Sequence, residues 1–564
     1  MTLAGDVRAL ACAVLYLLLC SVEAGLWEPA HDEGVTWTQA IGRVELPVAP
    51  AEAVPIGRVY AALDAAPGHS AGEVIERLMV EGGMHPPAYY LGLNVWSRLF
   101  GSGRVVLVLP ALLAGVLTLF GMRRLARELI PAPRAGEWAM LLTALSPWFV
   151  GYSVLARPYA ISLCLAVWST VALLGMRNAG LGRRWQLAFI ALSLLGLYHI
   201  YHYAFLLVWQ LVFLALTALL GEREARRPRL REALVMAVVI ALGFLPWLPK
   251  LLSHLALTAD ADAYFTGFPG LTEWPGLAWS LMLHFALGEA AQFFEAPLLP
   301  IAFLVLATGT LALWVSGLGA ARAEAGGQDL GPRLLWASLP LLPATILLAD
   351  WFHDTRTLFV SKTSFVLFPF LVLLVVRGWL SWGSYRSVSH RSASHRLAVV
   401  GLGAWALLLA AATLGGFQGL ALRQTPVART TAFVLATDEP GHVVALSSLY
   451  PGYAIPLLLS LREAGVEEVS LAYAPWYALE SFVEAASADA GVKRLSLINL
   501  DVGYSPVETW QRPLLQRTLG QARRAGWDAG LGTPGEAASE DADASGGRRP
   551  LRIVTPVQAK YFSG

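Results

Sequence analysis

Two adjacent carboxylates, Asp32 and Glu33, stand directly after the first long apolar run of this 564-residue chain, Val7 to Trp27. A carboxylate at an apolar boundary can take a proton from an attacking hydroxyl, as a general base does. The same residue types also serve as solvated loop acids or helix N-caps. Four further clusters carry groups able to hold an anion. His85 precedes Pro86-Pro87, a pair suited to starting a helix rigidly, with Tyr89 one turn on. Arg157 precedes Pro158-Tyr159 at the start of another apolar run, and its guanidinium offers two parallel donors to a phosphate. A lipid-headgroup anchor is the other use of an arginine there. His199 and His202 lie in Tyr198-His199-Ile200-Tyr201-His202-Tyr203, the short join of two runs. Arg356 and Lys362 flank the start of a late run and can hold a departing phosphate. Tyr89, Tyr159, His199 and His202 are the candidates for substrate contact. The two histidines lack a third ligand, so no metal site is indicated. No cofactor is implied beyond room for a divalent cation.

The elements that position these groups belong to a membrane. Hydrophobic residues make up 56% of the chain and charged residues 14%, with mean hydropathy +0.56. A soluble domain carries about a quarter charged residues, so the surplus apolar surface needs lipid to face. The formal net charge of +1 gives no electrostatic reason for a nucleic-acid partner. All three cysteines lie in apolar runs, which speaks against a disulfide framework. Runs of spanning length recur near 7–27, 103–122, 137–155, 158–176, 185–201, 203–220, 233–250, 297–319, 333–349, 360–377 and 397–415. Five arginine clusters fall on one side if about eleven helices alternate, giving a cytoplasmic N-terminus and an extracytoplasmic C-terminus. Arg8 and Val22-Glu23-Ala24 loosely resemble a cleavable leader, but the weak n-region and Glu23 favour a retained first span. Either way residue 30 lies outside the cytoplasm.

The short stretches 86–100 and 274–288 read as interfacial helices rather than spans. The long outer loops are 28–102 and 251–296. Residues 1–419 are expected to form the membrane module and 420–564 a small extracytoplasmic α/β domain. In that domain His442–Ser447, Val466–Ala472, Lys493–Leu500 and Leu551–Thr555 are strand candidates. Tyr453–Ala464 and Val507–Ala525 are helix candidates, and 533–549 is expected to be a disordered acidic insertion.

The order of these motifs resembles a known family. An acidic pair after the first span is followed by His-Pro-Pro-x-Tyr-Tyr ending near Leu99-Phe100-Gly101. Ser146-Pro147-Trp148-Phe149 then leads to Ala156-Arg157-Pro158-Tyr159-Ala160, and Tyr-His-x-Tyr-His-Tyr follows. This set is similar to the GT-C glycosyltransferases of family 39, which include protein O-mannosyltransferases and lipid A aminoarabinose transferases. The resemblance covers roughly residues 1–415 and leaves the tail unexplained. It implies a bacterial inner-membrane enzyme whose donor is a sugar on a polyprenyl phosphate. It further implies an inverting transfer with Asp32 as base and Glu33 in support. Arg157 would hold the lipid-linked phosphate, assisted by Lys362 or Arg356, and the acceptor would be a protein, lipid or polysaccharide. Two departures stand out. Many relatives carry Glu before Arg-Pro-Tyr, where this chain has Ala156; many begin the late span Arg-Tyr, where it has Lys362-Thr363. The rival expectations are a transporter or flippase of a lipid-linked sugar, and a non-catalytic relative. The missing internal repeat argues against the first of these.

Overall fold

The computed structural model describes the chain apart from residues 1–2, 27–30, 43–52, 65–68, 81–85, 131, 177–181, 221–222, 254–266, 288–300, 302–303, 306, 310–311, 313–338, 361, 385–390, 423–425, 448–453, 475–478, 500–504, 533–548 and 555–564. His85, most of the run 297–319 and nearly all of the acidic insertion lie outside the described residues. Arg549, counted with that insertion in the sequence reading, opens a strand instead. The chain is mainly helical and divides into two compact units. One comprises Met1–Trp27, Leu78–Tyr89 and Val108–Ala421; the other comprises Glu28–Arg77, Tyr90–Leu107 and Leu422–Gly564.

The helices, in chain order, are α1 (Leu3–Leu26), α2 (His31–Ala40), α3 (Ile56–Asp64), α4 (Ala71–Val80), α5 (Pro87–Phe100), α6 (Arg104–Leu129), α7 (Ala135–Ala144), α8 (Pro147–Ser153), α9 (Tyr159–Gly175), α10 (Gly182–His199), α11 (Tyr203–Leu220) and α12 (Arg223–Phe244). They continue with α13 (Trp274–Leu287), α14 (Leu341–His353), α15 (Phe368–Ser384), α16 (Arg391–Leu422), α17 (Pro426–Ala436), α18 (Ala454–Glu463), α19 (Leu479–Ala488) and α20 (Ser505–Arg524).

The first unit is a helical bundle of a multi-pass membrane protein. Among the described residues, Gly5–Leu26, Arg104–Leu129, Tyr203–Leu220, Arg226–Ser253 and Arg396–Gln418 are long and apolar enough to cross a bilayer. Leu10, Leu18, Leu113, Leu234 and Leu407 stay exposed along these helices, as side chains that face lipid do. The apolar run 137–155 is not one span. It breaks into α7 and α8 at Leu145-Ser146-Pro147, where Pro147 cannot continue a helix and Ser146 caps the next one. At one end of the bundle Arg123 donates to Gly5 O and Asp6, and Arg127 to Glu137. Those bonds tie α1, α6 and α7 together.

The second unit is built on a six-stranded sheet. Its strands are β1 (Val54–Pro55), β2 (His442–Ser447), β3 (Ser470–Tyr473), β4 (Arg494–Asn499), β5 (Trp527–Gly532) and β6 (Arg549–Val554), in the order β1-β3-β2-β4-β6-β5. All neighbours are parallel except β1 with β3. Every residue of β2 is buried, as expected of a central parallel strand covered on both faces. Val443, Leu495, Leu497, Phe482, Trp527 and Ile553 form the core beneath it. The expected strand over 466–472 shortens to β3, because Asp438 captures the backbone N–H groups of Glu467, Glu468 and Val469. A carboxylate that bonds three successive amides holds them in a turn. The sequence reading missed β5, α19 and α17. It also missed that the outer loop 28–102 supplies the sheet's antiparallel edge strand.

Residues 87–100 form the single helix α5, with Pro87 at its first position. Its polar residues Asn94 and Ser97 are buried. Asn94 donates to Ala40 O (2.7 Å) and His69 O (2.9 Å), and Arg98 bonds Asn94 and His69. Val95, Leu99 and Phe100 are exposed, together with Gly92 and Arg98.

Candidate active site

Arg157 sits in a turn that the local sequence builds. The Ser146 side chain accepts from Phe149 N to start α8, which ends at Ser153. The following residues tighten until Arg157 N donates to Leu155 O at 2.8 Å, and Pro158 then stands as the N-cap of α9. Arg157 is only 4% exposed. Its guanidinium carbon lies 5.8 Å from the Tyr159 ring centroid, and Tyr159 meets Tyr152 edge-on at 5.1 Å. Tyr152 continues to Trp148 at 4.7 Å, and Trp148 stacks on Phe368 at 4.7 Å. The Tyr159 ring beside the cation thus heads a chain of aromatic contacts. A guanidinium cannot shed its charge, and low-dielectric surroundings strengthen its pull on an anion.

A second strap carries Arg356 and Lys362. Its organiser is Asp350, near the end of α14 and 1% exposed. The Asp350 carboxylate accepts from Thr355 Oγ1 (2.6 Å), Thr357 N (2.9 Å), Leu358 N (2.9 Å) and Thr357 Oγ1. A buried carboxylate satisfied by that many donors fixes the path of the turn. Asp354 closes α14 in the left-handed region (φ 51°) and accepts from Gly267 N (2.7 Å) and Phe268 N (2.8 Å). Gly267 needs its positive φ of 89°, and a Cβ there would sit 3.2 Å from Arg356 Nη2. The guanidinium therefore lies against a residue that has to stay glycine. Beyond Lys362, which is half-buried, the chain enters a short 3-10 turn at Phe365–Leu367. That turn packs against α9 and α11, the helices that follow Arg157 and His202.

The histidines are held differently. His199 ends α10, is 7% exposed, and places Nδ1 2.8 Å from Leu195 O. That contact makes Nδ1 the donor and leaves Nε2 as the ring's other nitrogen. His202 is half-buried in the turn, its ring 6.1 Å from that of Phe205. The intervening tyrosines work in packing. Tyr201 Oη accepts from Trp247 Nε1 (2.9 Å), and Tyr203 Oη donates to Ser169 Oγ (2.7 Å). Tyr203 is fully buried. Tyr89, on the first turn of α5, is also buried.

The structure groups Tyr89, Arg157, Tyr159, His199, His202, Arg356 and Lys362 in the helical unit, and Asp32 and Glu33 in the other. Both acids lie on the first turn of α2. The side chain of Asp32 lies outside the described part, whereas Glu33 is 7% exposed. Within its unit α2 packs against α18, and Tyr60 of α3 donates to Val466 O at 3.0 Å. Burial pushes the Tyr60 hydroxyl up from its ordinary pKa, so it stays a donor. The acid-bearing helix therefore rests on the α/β domain whose role the sequence left open.

Three residues escaped the sequence reading. Asp350 was not singled out, although the Thr355 and Thr357 that follow it are a signal of turn-forming partners. Lys250, one of the chain's few lysines, is 7% exposed and donates to Met79 O at 2.7 Å, just before His85. Glu23, 8% exposed near the C-terminal end of α1, has Oε1 3.2 Å from where a Cβ on Gly151 of α8 would stand. A buried acid in a span calls for a function or a partner. Among the described residues, no group of three His, Cys, Asp or Glu is arranged to hold a metal ion.

Comparison with known proteins adds the following. No curated protein sequence matches the chain. Among solved structures, ArnT from Cupriavidus metallidurans bound to undecaprenyl phosphate is 12% identical, with a TM-score of 0.47 over 86% of this chain and 92% of that one. The archaeal oligosaccharyltransferase AglB from Archaeoglobus fulgidus, in complex with an inhibitory peptide and a dolichol-phosphate, is 11% identical. Its TM-score is 0.44 over 90% of this chain and 68% of that one. Residues 84–252 match the family model described as dolichyl-phosphate-mannose-protein mannosyltransferase. That segment contains helix α5, the Arg157 turn and the two-histidine join.

Proposed function

We propose that the protein transfers a sugar from a polyprenyl-phosphate donor to an acceptor at the outer face of the bacterial cytoplasmic membrane. Its N-terminus is cytoplasmic and its α/β domain extracytoplasmic. Asp32 accepts the proton of the acceptor's hydroxyl while that oxygen forms a bond to the anomeric carbon. The bond from the anomeric carbon to the phosphate oxygen breaks, its electron pair going to the phosphate, and the configuration inverts. Arg157 holds the charge that develops on the departing phosphate, with Lys362 and Arg356 beside it. His85 is a further donor to the phosphate, and Tyr89, Tyr159, His199 and His202 line the substrate path. Glu33 supports Asp32. Glu23 supplies the acid that relatives carry where this chain has Ala156.

The observation that carries this reading is the buried guanidinium of Arg157, fixed in a turn beside the Tyr159 ring inside the family-matched segment. Solvent-facing anchors are not built that way. The test uses purified protein in liposomes with a radiolabelled sugar on undecaprenyl phosphate and a panel of outer-face acceptors. Release of free lipid phosphate with label on an acceptor is expected. Label that crosses the bilayer while still attached to its lipid would instead identify a transporter.

A further inference from the structure

Helices α10 and α12 touch closely at one end and part at the other. At the close end Tyr198 Oη donates to Gly243 O at 2.9 Å, and a Cβ on Gly243 would lie 2.8 Å from Leu194 Cδ2. Toward their arginine-rich ends they line an open groove of about 620 Å³. Arg183 contributes from α10, and Arg227 and Arg231 from α12, while Leu187, Ile190 and Met236 line it too. Gln186 donates to Glu232 at 3.3 Å across the gap and so bridges the two helices.

These arginines differ from the cluster that ties α1, α6 and α7 together. Arg123, Arg124 and Arg127 are ion-paired with Asp6, Glu128 and Glu137. Arg183, Arg227 and Arg231 make no ion pair with a described residue, and two helices aim them at one concavity. Planar guanidiniums grip phosphate in pairs, and the apolar lining fits hydrocarbon.

We propose that this groove binds the headgroup of one anionic phospholipid, in the leaflet at the arginine ends, with its acyl chains along the apolar lining. The site rests on α12 spanning the bilayer and is independent of the transferase reading. Bound lipid would wedge α10 from α12 and fill the space between them.

Native mass spectrometry of the full chain, titrated with phosphatidylglycerol or phosphatidylcholine, tests this. The wild type should retain one phosphatidylglycerol in preference to phosphatidylcholine. The triple variant R183Q/R227Q/R231Q should weaken that binding by about a hundredfold, at about 1 kcal/mol for each arginine. A control triple, R8Q/R223Q/R229Q, removes the same charge from exposed positions outside the groove and should shift binding by about twofold or less. Equal losses in the two triples would show a diffuse charge effect and overturn the site. So would a wild type without preference for the anionic lipid, or displacement of bound lipid by inorganic phosphate alone.

Discussion

Arg157 and the strap from Asp350 to Lys362 are fixed by short bonds to residues close in sequence, all inside the helical unit. The acid-bearing α2 instead packs against α18, a helix from the far end of the chain, and its loop pairs two residues with β3. The cationic groups are thus locally determined, whereas the acids depend on a separate domain. Changes in the strap should stay within the bundle. Changes in the sheet should reach α2 and leave the arginines alone.

The largest expected effect lies in the chemistry of the acids. Asp32→Asn should lower kcat by about a thousandfold, the usual worth of a general base, with the donor KM unchanged. Steady-state transfer kinetics measure both. On the cationic side, Asp350→Ala strands several buried donors and should cost on the order of 3 kcal/mol, since each unmet donor costs about 1–3. The readout is thermal unfolding in detergent. Loss of protection on hydrogen exchange should cover residues 354–364 and spare α2.

Acidification sharpens the contrast. His442 is fully buried, with Nδ1 2.8 Å from Thr437 O and Nε2 2.8 Å from Ser496 Oγ, and burial lowers its pKa to about 4. Unfolded histidine titrates near 6.5. The neutral ring's contribution is complete above about pH 6.5 and drains as pH falls toward 4, up to about 3 kcal/mol. Exchange protection in β2 and β4 should fall through that window while the Asp350 strap keeps its own. The smallest effect is Tyr60→Phe, which deletes one hydrogen bond to the sheet and should cost about 1 kcal/mol. Limited proteolysis should then cut the loop 28–102 faster.

Different physical signals explain what was legible. Apolar run length located α6, α9, α11 and α16 because lipid demands a helix and sets its length. It misjudged 137–155, where Ser146-Pro147 outweighs hydropathy. Strand β2 was legible because a doubly buried parallel strand is a continuous apolar run. The Gly-ended β5 and the two-residue β1 carry no such pattern. Arg157 stood out because arginine is scarce on that side of the apolar runs. Asp350 did not, since its importance lies in donors that only the folded turn brings to it. Nor could spacing reveal that α2 would rest on α18, a contact between segments at opposite ends of the sequence.

The division of labour between the two regions is tested most directly by equilibrium binding of undecaprenyl phosphate to the wild type, Arg157→Gln and Asp32→Asn. The account predicts that Arg157→Gln weakens binding by about tenfold or more, the worth of a charge-assisted pair, while Asp32→Asn binds as the wild type does. Wild-type affinity in Arg157→Gln, or a comparable loss in Asp32→Asn, would contradict it.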